Sequence, residues 1–399
     1  MKKNTYLIIL LLAVSAFTLN AQTSKVYRSL EEAVKEPLRV RQLDLSSLNL
    51  ADVPEEIKQF INLESLMLRN NKIDTIPVWM ADLKRITNLD ISNNRFTSIP
   101  EVISNFEGLT DFHANGNFIK NIPDFIGNFK SLIFLNLENN RISEISPSLG
   151  SLESLNVLKL RKNELKTLPE TFSSLLALQY LELGGNPDLN MEMSFEYIIK
   201  LSSLLALDLS EMQLMFFPDK LDKLDKLAML DLRNNEIFAL PESIGDLKML
   251  RVLFLSGNPL KKLPASICSL SMLSKLKLED VPLDSLPSDI GKMEALMSLE
   301  LINNNLKDLP ESFAELDRLS HLSIQKNYSL DFSRTFDVIS KLPFLMRLNL
   351  TDNKLKVISE KLSNMQKLSS INLNENPNLN LRGVFDIVSN ISSMKILLL

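Results

Sequence analysis

The 399-residue chain has a single cysteine, Cys268, and only two histidines, His113 and His321. One cysteine excludes an intrachain disulfide and argues against a metal site built from cysteine ligands. The two histidines fall in the fourth and thirteenth units of the repeat described below. Nine strand spacings separate them by roughly 40 Å, so they cannot share a metal ion or a proton relay. We therefore expect no metal site and no cofactor.

Motifs for catalysis and nucleotide binding are also missing. The chain contains no G-x-S-x-G, no P-loop and no G-x-G-x-x-G. Cys268 has no histidine in its own repeat or in the neighbouring ones, so we interpret it as a small apolar filler rather than a nucleophile. The chain ends at Leu399 within a repeat, which leaves no room for a catalytic domain after the repeats. These absences predict a protein that is not an enzyme.

The charge is low and mixed. The formal net charge is −5 at pH 7, and no segment carries a dominant run of lysine and arginine. A general binder of nucleic acid needs many cations to meet the phosphate backbone. The composition therefore predicts that nucleic acid is not the partner.

The N-terminus has the pattern of a secretory signal peptide at residues 1–21. Lys2 and Lys3 precede an apolar run over residues 6–17, and Ala21 is the expected cleavage position. No cysteine follows the run, which argues against a lipoprotein anchor, and no later segment is apolar enough to cross a membrane. The sequence predicts an exported protein. It leaves open whether the protein is secreted, periplasmic or bound to the cell surface.

Most of the chain follows one repeating pattern. In Leu227–Met249, apolar residues occupy positions 1, 4, 6, 11, 14, 18 and 21, with Asn235 at position 9 and Pro241 at position 15. Fifteen full repeats, twelve of 23 residues and three of 26, and a terminal strand fill residues 40–399. The repeats start at Val40, Leu63, Ile86, Leu109, Leu132, Leu155, Leu178, Leu204, Leu227, Leu250, Leu273, Leu296, Leu319, Leu345 and Leu368.

The pattern changes period within each repeat. Its first third alternates like a strand, and its last third is spaced like a short helix or 3₁₀ turn. Inward leucines of successive repeats stack into a continuous core, and strands at positions 3 to 5 pair in parallel about 4.8 Å apart. We predict an α/β solenoid: a horseshoe with a parallel concave sheet and short convex helices or 3₁₀ turns.

The pattern L-x-x-L-x-L-x-x-N-x-I-x-x-L-P-x-x-I resembles leucine-rich repeats of the Ras-suppressor and plant disease-resistance type. The resemblance covers about nine tenths of the chain, because fifteen repeats share one register. The opening VYRSLEEAVKEP followed by a first repeat also resembles exported leucine-rich repeat proteins of Gram-negative bacteria. The resemblance implies a scaffold that binds other molecules.

Asparagine occupies position 9 in twelve repeats, where an inward amide can satisfy backbone groups of its own and the adjacent repeat. Leu48, Met212 and Val281 replace it, and we expect the last two to be local weak points because backbone groups lose a partner. The twelve asparagines are Asn71, Asn94, Asn117, Asn140, Asn163, Asn186, Asn235, Asn258, Asn304, Asn327, Asn353 and Asn376.

The three 26-residue repeats and the two ends depart from this pattern. Spacing by threes in the long repeats predicts a longer convex helix, which either adjusts curvature or offers a second contact surface. Residues 22–39 are predicted to form an N-terminal helical cap, a two-turn helix that starts at a Ser29/Glu32 capping box. The terminal strand at residues 394–399 has no cap, so we expect fraying or end-to-end self-association.

One column of the predicted concave face is apolar. Position 3 is polar in the first four repeats, apolar in the next six and polar again afterwards. An apolar stripe of about 25 Å on a soluble protein often marks a contact surface. The alternative is that these side chains only pack on one another across the strands. The predicted partner-binding residues are Phe134, Val157, Tyr180, Leu205, Met229, Val252 and Phe254.

Charged residues at positions 3, 5 and 7 are predicted to form a rim around the stripe. They are Lys159, Arg161, Glu182, Asp208, Asp231, Lys275 and Lys277. An apolar centre with a polar rim is how many protein interfaces are built. The sequence therefore predicts a non-enzymatic exported scaffold that binds a protein or peptide on its concave face. A surface protein that binds carbohydrate or the cell envelope is the alternative.

Overall fold

The computed structural model describes residues 25–399, so the predicted signal peptide lies outside the described residues. Within this range, 17 parallel strands form one sheet in which each strand pairs with its two neighbours, except for the first and last strands, which have one neighbour each. Strands of the full repeats begin at position 3, as the pattern predicts. The sheet strands are β1 (Val26–Tyr27), β2 (Gln42–Asp44), β3 (Ser65–Met67), β4 (Asn88–Asp90), β5 (Asp111–His113), β7 (Phe134–Asn136), β9 (Val157–Lys159), β10 (Tyr180–Glu182), β11 (Ala206–Asp208), β12 (Met229–Asp231), β13 (Val252–Phe254), β14 (Lys275–Glu279), β15 (Ser298–Ile302), β16 (His321–Ser323), β17 (Arg347–Asn349), β18 (Ser370–Asn372) and β19 (Ile396–Leu398).

The register of the sheet places the same position of every repeat side by side. Leu43 pairs with Leu66, and Leu66 pairs with Leu89, all at position 4. These leucines are fully buried in one continuous core. Burying such a side chain contributes about 1.5–3 kcal/mol, and each repeat adds several. The predicted solenoid fold is confirmed.

Short 3₁₀ helices form most of the convex side, and the majority follow the proline at position 15. Pro54 is extended, at φ −60° and ψ 133°, and its carbonyl accepts the N–H of Ile57 at 3.2 Å. Proline suits this place because it needs no N–H there. The 3₁₀ helices span Pro37–Arg39, Glu55–Gln59, Val78–Asp82, Glu101–Asn105, Asp124–Asn128, Pro147–Ser151, Glu170–Ser174, Leu221–Lys223, Glu242–Asp246, Ala265–Ser269, Ile290–Lys292, Glu311–Glu315 and Glu360–Asn364.

Beside the 3₁₀ helices, the convex side carries a small two-stranded sheet, β6 (Asn121–Ile122) with β8 (Glu144–Ile145). The three long repeats carry eight-residue α-helices there, which confirms the predicted longer helices. The side chain of the residue before each of these helices accepts a backbone N–H of its first turn, as N-caps do. The helices are α2 (Met191–Ile198), α3 (Phe332–Ile339) and α4 (Leu381–Val388), and α1 belongs to the N-terminal segment.

The N-terminal segment differs from the prediction. Helix α1 (Leu30–Ala33) has one turn rather than two, and the Ser29 side chain makes no capping hydrogen bond. A 3₁₀ helix at Pro37–Arg39 follows it. Strand β1, which the sequence analysis missed, pairs with β2 and puts the buried Tyr27 over the first repeat. A two-residue strand carries too little periodicity to be recognised from sequence.

The asparagine ladder has a regular hydrogen-bond pattern. The side-chain N–H₂ of Asn94 donates to the carbonyls of Leu68 at 2.9 Å and Ile91 at 3.1 Å, and its Oδ1 accepts from Ile73 N–H at 3.1 Å. Each amide therefore joins its own repeat to the preceding one. Position 8, directly before the asparagine, has a positive φ in all fifteen repeats, including Lys162 at 53°. The sequence analysis did not predict this left-handed turn.

The two internal gaps in the ladder are bridged differently. At Met212, the thioether sulfur accepts the N–H of Asn186 at 3.3 Å. At Val281, strands β14 and β15 lengthen to five residues and add the pairs Leu278–Leu301 and Glu279–Ile302. The Oδ1 atom of Asn304 in the next repeat is left buried with no hydrogen-bond partner. That the gaps are weak points stays a prediction.

Candidate partner-binding face

The strand register brings the predicted apolar column into one line on the concave face. Phe134 pairs with Val157, Val157 with Tyr180, and the line continues without a shift to the tenth repeat. Six consecutive position-3 side chains are therefore direct neighbours across five strand pairs. The remaining members of the line are Ala206, Met229 and Val252.

The accessibility of this column is smaller than the sequence predicts. Phe134, Tyr180, Leu205 and Met229 are half-buried. Three predicted binding residues are buried: Val157 is 6% exposed, Val252 7% and Phe254 4%. The expectation that these three side chains are exposed is wrong, because side chains on strands so closely spaced cover one another.

Phe254 shows how this covering works. Asp231 and Lys277 lie on either side of it in register, and the guanidinium of Arg233 sits over its ring, 5.2 Å from the centroid. The ring is therefore enclosed by the aliphatic and charged parts of longer side chains. Phe254 is a structural residue of the concave face.

His113 extends the column toward the N-terminus. Its ring stacks on Phe134 with centroids 4.7 Å apart and planes 29° apart. Burial lowers the pKa of His113, against the opposing effect of Asp90 and Asp111. From the sequence alone, His113 is a candidate only for metal binding or proton transfer, and both are excluded by its distance from His321. Its place at position 5, one repeat before Phe134 at position 3, is the signal that identifies it as a neighbour of the column.

Arg161 is the centre of the largest charge network on the face. Its Nη1 donates to Asp208 Oδ2 at 2.7 Å and to Ser210 Oγ at 2.6 Å, and its Nη2 pairs with Glu211. These partners lie two repeats away. The residue between them is Gly184, whose missing side chain leaves room for the guanidinium.

The other predicted rim residues are also engaged in ion pairs within the sheet. Lys159 Nζ lies 2.8 Å from Glu182 Oε1. The Nζ atoms of Lys275 and Lys277 lie 3.5 and 3.4 Å from the carboxylate of Glu300. The predicted rim is therefore a set of cross-strand ion pairs that hold the side chains of the face in place.

Asp231 departs from the predicted rim because it is buried. Its two carboxylate oxygens accept hydrogen bonds from Arg233 Nε at 2.9 and 3.0 Å. Burial raises the pKa of Asp231, and the hydrogen bonds from Arg233 oppose that rise. Asp231 therefore holds Arg233 in place over Phe254.

The part of the chain that the structure describes offers no cluster of metal ligands. No group of three or more His, Cys, Asp or Glu side chains there is placed to hold a metal ion. Burial raises the pKa of the Cys268 thiol to about 11, so it stays protonated at neutral pH. Among residues 25–399, no helix has the length and apolar character to cross a membrane.

Comparison with known families identifies the repeat. A leucine-rich repeat region matches residues 267–397, and leucine-rich repeat families match residues 39–96, 130–187 and 249–270. The chain is a leucine-rich repeat protein. No curated protein sequence matches it.

Several solved leucine-rich repeat structures are similar to this chain. A leucine-rich repeat protein of Leptospira interrogans is 26% identical, with a TM-score of 0.80, over 93% of this chain and 99% of that chain. An internalin of Listeria monocytogenes shares the fold at 21% identity and a TM-score of 0.58, over 73% of this chain and 91% of that one. TLR13, solved in complex with ssRNA13, is 26% identical with a TM-score of 0.72, over 92% of this chain and 55% of that chain.

Proposed function

We propose that this protein is a non-enzymatic, exported leucine-rich repeat scaffold that binds a protein or peptide partner on its concave face. The observation that carries the proposal is the in-register column, in which half-buried Phe134, Tyr180 and Met229 stand among ordered ion pairs. Leu205 adds a further half-buried apolar side chain at position 2. Large apolar and aromatic side chains held within a polar surround are typical of the energetic centre of an interface.

The ordered surround favours a protein partner for a second reason. Arg161 and Lys159 are already held by carboxylates of neighbouring repeats. A partner that meets such a surface does not have to immobilise those long side chains, which lowers the entropic cost of association. Because Lys159 and Arg161 are already paired, we expect the partner to meet them with a polar surface of modest charge rather than a strongly acidic one.

Two other partner classes are weaker fits. Carbohydrate binding favours aromatic platforms beside free amides and carboxylates, and this column has only Tyr180 and Phe134 as accessible aromatic rings. The complex of TLR13 with ssRNA13 makes RNA a class to test. It fits poorly, because the formal net charge is −5 and both Lys159 and Arg161 are paired with carboxylates.

The test compares the native protein with Tyr180→Ala/Met229→Ala. Both substituted side chains are half-buried, so the fold should persist, and Val357→Ala on the convex side is the matched control. Affinity capture with mass spectrometry identifies a partner, and titration calorimetry then measures its dissociation constant. We expect the double substitution to weaken binding at least about tenfold and the control to leave it unchanged. A partner found only on a glycan array, or only with ssRNA, would overturn the proposal.

Export has its own test. The predicted signal peptide at residues 1–21 should direct the chain out of the cytoplasm of a Gram-negative host. Deletion of residues 2–21 should leave the protein in the cytoplasm, as detected by cell fractionation. Cytoplasmic retention of the full chain would contradict the export part of the proposal alone.

Self-association is a second proposal, supported by strand β19. This strand pairs with β18 on one side only, and Ile396 and Leu398 are each about half exposed on it. Edge strands with exposed apolar side chains readily pair with another chain. Sedimentation velocity should show a concentration-dependent dimer that Ile396→Lys abolishes. A monomer at all concentrations would contradict this proposal without affecting the concave face.

A further inference from the structure

The first long repeat creates a groove on the convex side, remote from the concave column. The groove has a volume of about 390 Å³ and lies between helix α2 and the eighth repeat. Its apolar lining consists of Met191, Phe195, Phe216 and Pro218. Phe195 is anchored from behind by an edge contact with Phe217, with centroids 5.8 Å apart.

An exposed aromatic pair forms the margin of this groove. Phe216 is 63% exposed and Phe238 46%, and their rings meet edge to face at a centroid distance of 4.6 Å. Two exposed phenylalanines beside an apolar groove exceed the scattered apolar exposure that soluble surfaces normally show. Aromatic rings held by each other can receive an apolar side chain without further ordering.

The backbone opens the groove at the eighth repeat. Lys220 has a left-handed conformation, at φ 70° and ψ 38°, and its N–H donates to Asp219 Oδ1 at 3.0 Å. The 3₁₀ helix that follows, Leu221–Lys223, has three residues, whereas the 3₁₀ helix after most position-15 prolines has five. The two positions that leave the 3₁₀ helix here are Asp219 and Lys220, and both line the groove.

Carboxylates outnumber cations among the residues that line the groove. Glu196 is neutralised by Lys220, with Nζ 2.9 Å from Oε1. Glu192 and Asp219 are exposed and make no ion pair within the described part of the chain. The groove therefore combines an apolar floor with two carboxylates that a cation can pair with.

A second long repeat provides an internal comparison. Around helix α3, Lys361 pairs with Asp337 at 2.6 Å, in the same repeat positions as Lys220 and Glu196. There, Val357 stands at the position of Phe216 and Ser333 at that of Glu192, and a regular five-residue 3₁₀ helix follows. The ion pair that both long repeats share therefore connects adjacent repeats. Phe216 and Glu192 are specific to the first groove.

We propose that this convex groove binds a basic peptide segment, which inserts one large apolar side chain against Phe216 and places a lysine or arginine between Glu192 and Asp219. The groove is a second surface of the scaffold, so the protein can hold one partner on each face. Such a division of surfaces lets two ligands bind at once and does not depend on the concave site.

The test uses a defined probe. A fluorescein-labelled peptide of about eleven residues carries one Phe between two lysines in a Gly/Ser background, and fluorescence polarisation follows its binding to the full chain. We expect saturable binding that falls at least about tenfold for Phe216→Val/Glu192→Ser, which copies the α3 arrangement. The variant Val357→Ala is the matched control and should bind like the native protein.

Further peptides and one further variant separate the outcomes. Replacing both lysines of the peptide with glutamate, or its Phe with Ser, should abolish binding. Tyr180→Ala/Met229→Ala should leave this binding intact, because those residues lie on the concave face. No saturable binding of the lysine peptide, or equal binding by Phe216→Val/Glu192→Ser with an unchanged circular dichroism spectrum, would overturn the proposal.

Discussion

Arg161 Nη1 lies 2.7 Å from Asp208 Oδ2, although the two residues are separated by a complete repeat. The guanidinium crosses that repeat above Gly184, where an added Cβ would come within 2.9 Å of Nη1 and 2.8 Å of the Ser210 carbonyl. Position 7 of this one repeat therefore has to lack a side chain. The contact joins three consecutive repeats of the concave face.

Gly184→Ala is expected to destabilise the protein by about 1–3 kcal/mol, because the new methyl group must displace Arg161 or the backbone of the next repeat. Chemical denaturation measures the loss. Gly108→Ala is the control, since its Cβ would meet only Thr87 Cγ2 at 3.8 Å. Equal stability of the two variants would show that the Arg161 network tolerates a side chain at this place.

Asn94→Ala is expected to cost about 1–3 kcal/mol, because it leaves the buried N–H of Ile73 without its partner. It also removes one of the two amide hydrogen bonds that each of the carbonyls of Leu68 and Ile91 accepts. The rate of hydrogen exchange at the Ile73 amide should increase in this variant. Asn105→Ala is the control, since this exposed amide makes one hydrogen bond, to Val102 O. Unchanged protection of Ile73 would contradict a supporting role for the ladder.

The pH dependence of stability should report the burial of His113. Its pKa is lowered in the folded protein, so below the ordinary value of 6.5 the unfolded chain binds a proton that the folded chain does not. Stability should therefore fall as the pH drops from 6.5 toward the folded pKa. His113→Phe should reduce this loss, leaving the share of His321, whose pKa burial also lowers. NMR titration of the ring measures the pKa directly, and a value at or above 6.5 would refute this assignment.

Phe254→Ala and Tyr180→Ala should separate structural from accessible side chains of the concave face. Phe254 is 4% exposed and enclosed by Arg233, so its truncation should cost about 3 kcal/mol. Tyr180 is half-buried, and its truncation should cost clearly less. Denaturant unfolding midpoints give both losses of stability, provided that the denaturant dependence of the unfolding free energy is the same in the variants. The reverse order would contradict the enclosure of Phe254 by its neighbours.

The repeat array could be predicted from the sequence because a local residue pattern defines each repeat. Leucine at positions 4 and 6 can face only the core once the strands are in register, and Asn and Pro fix the turns at positions 9 and 15. The same fixed register places Phe134, Val157 and Tyr180 in one line from the sequence alone, because each stands at position 3 of its repeat. Their alignment follows from counting residues.

The solvent exposure of these side chains could not be derived from the repeat positions in the same way. Phe254 is covered because Arg233 at position 7 of the preceding repeat folds over it, drawn there by Asp231. Arg161 spans two repeats only because Gly184 is small. Both outcomes depend on side-chain conformations in neighbouring repeats, which a one-dimensional pattern does not contain. The sequence predicts only that the long repeats either adjust curvature or offer a second contact surface. It does not predict the convex groove itself, because no sequence pattern marks the left-handed conformation of Lys220.

The gaps at Met212 and Val281 divide the asparagine ladder into unbroken runs of six, two and four amides, from Asn71 to Asn186, from Asn235 to Asn258 and from Asn304 to Asn376. In a linear array each repeat is stabilised only by its nearest neighbours. The resistance of the array to being pulled apart is therefore set by the weakest interfaces between repeats. A molecule stretched between its ends should then lengthen in three steps rather than one. The runs of six and four amides would extend as separate units, with the weaker two-amide run between them.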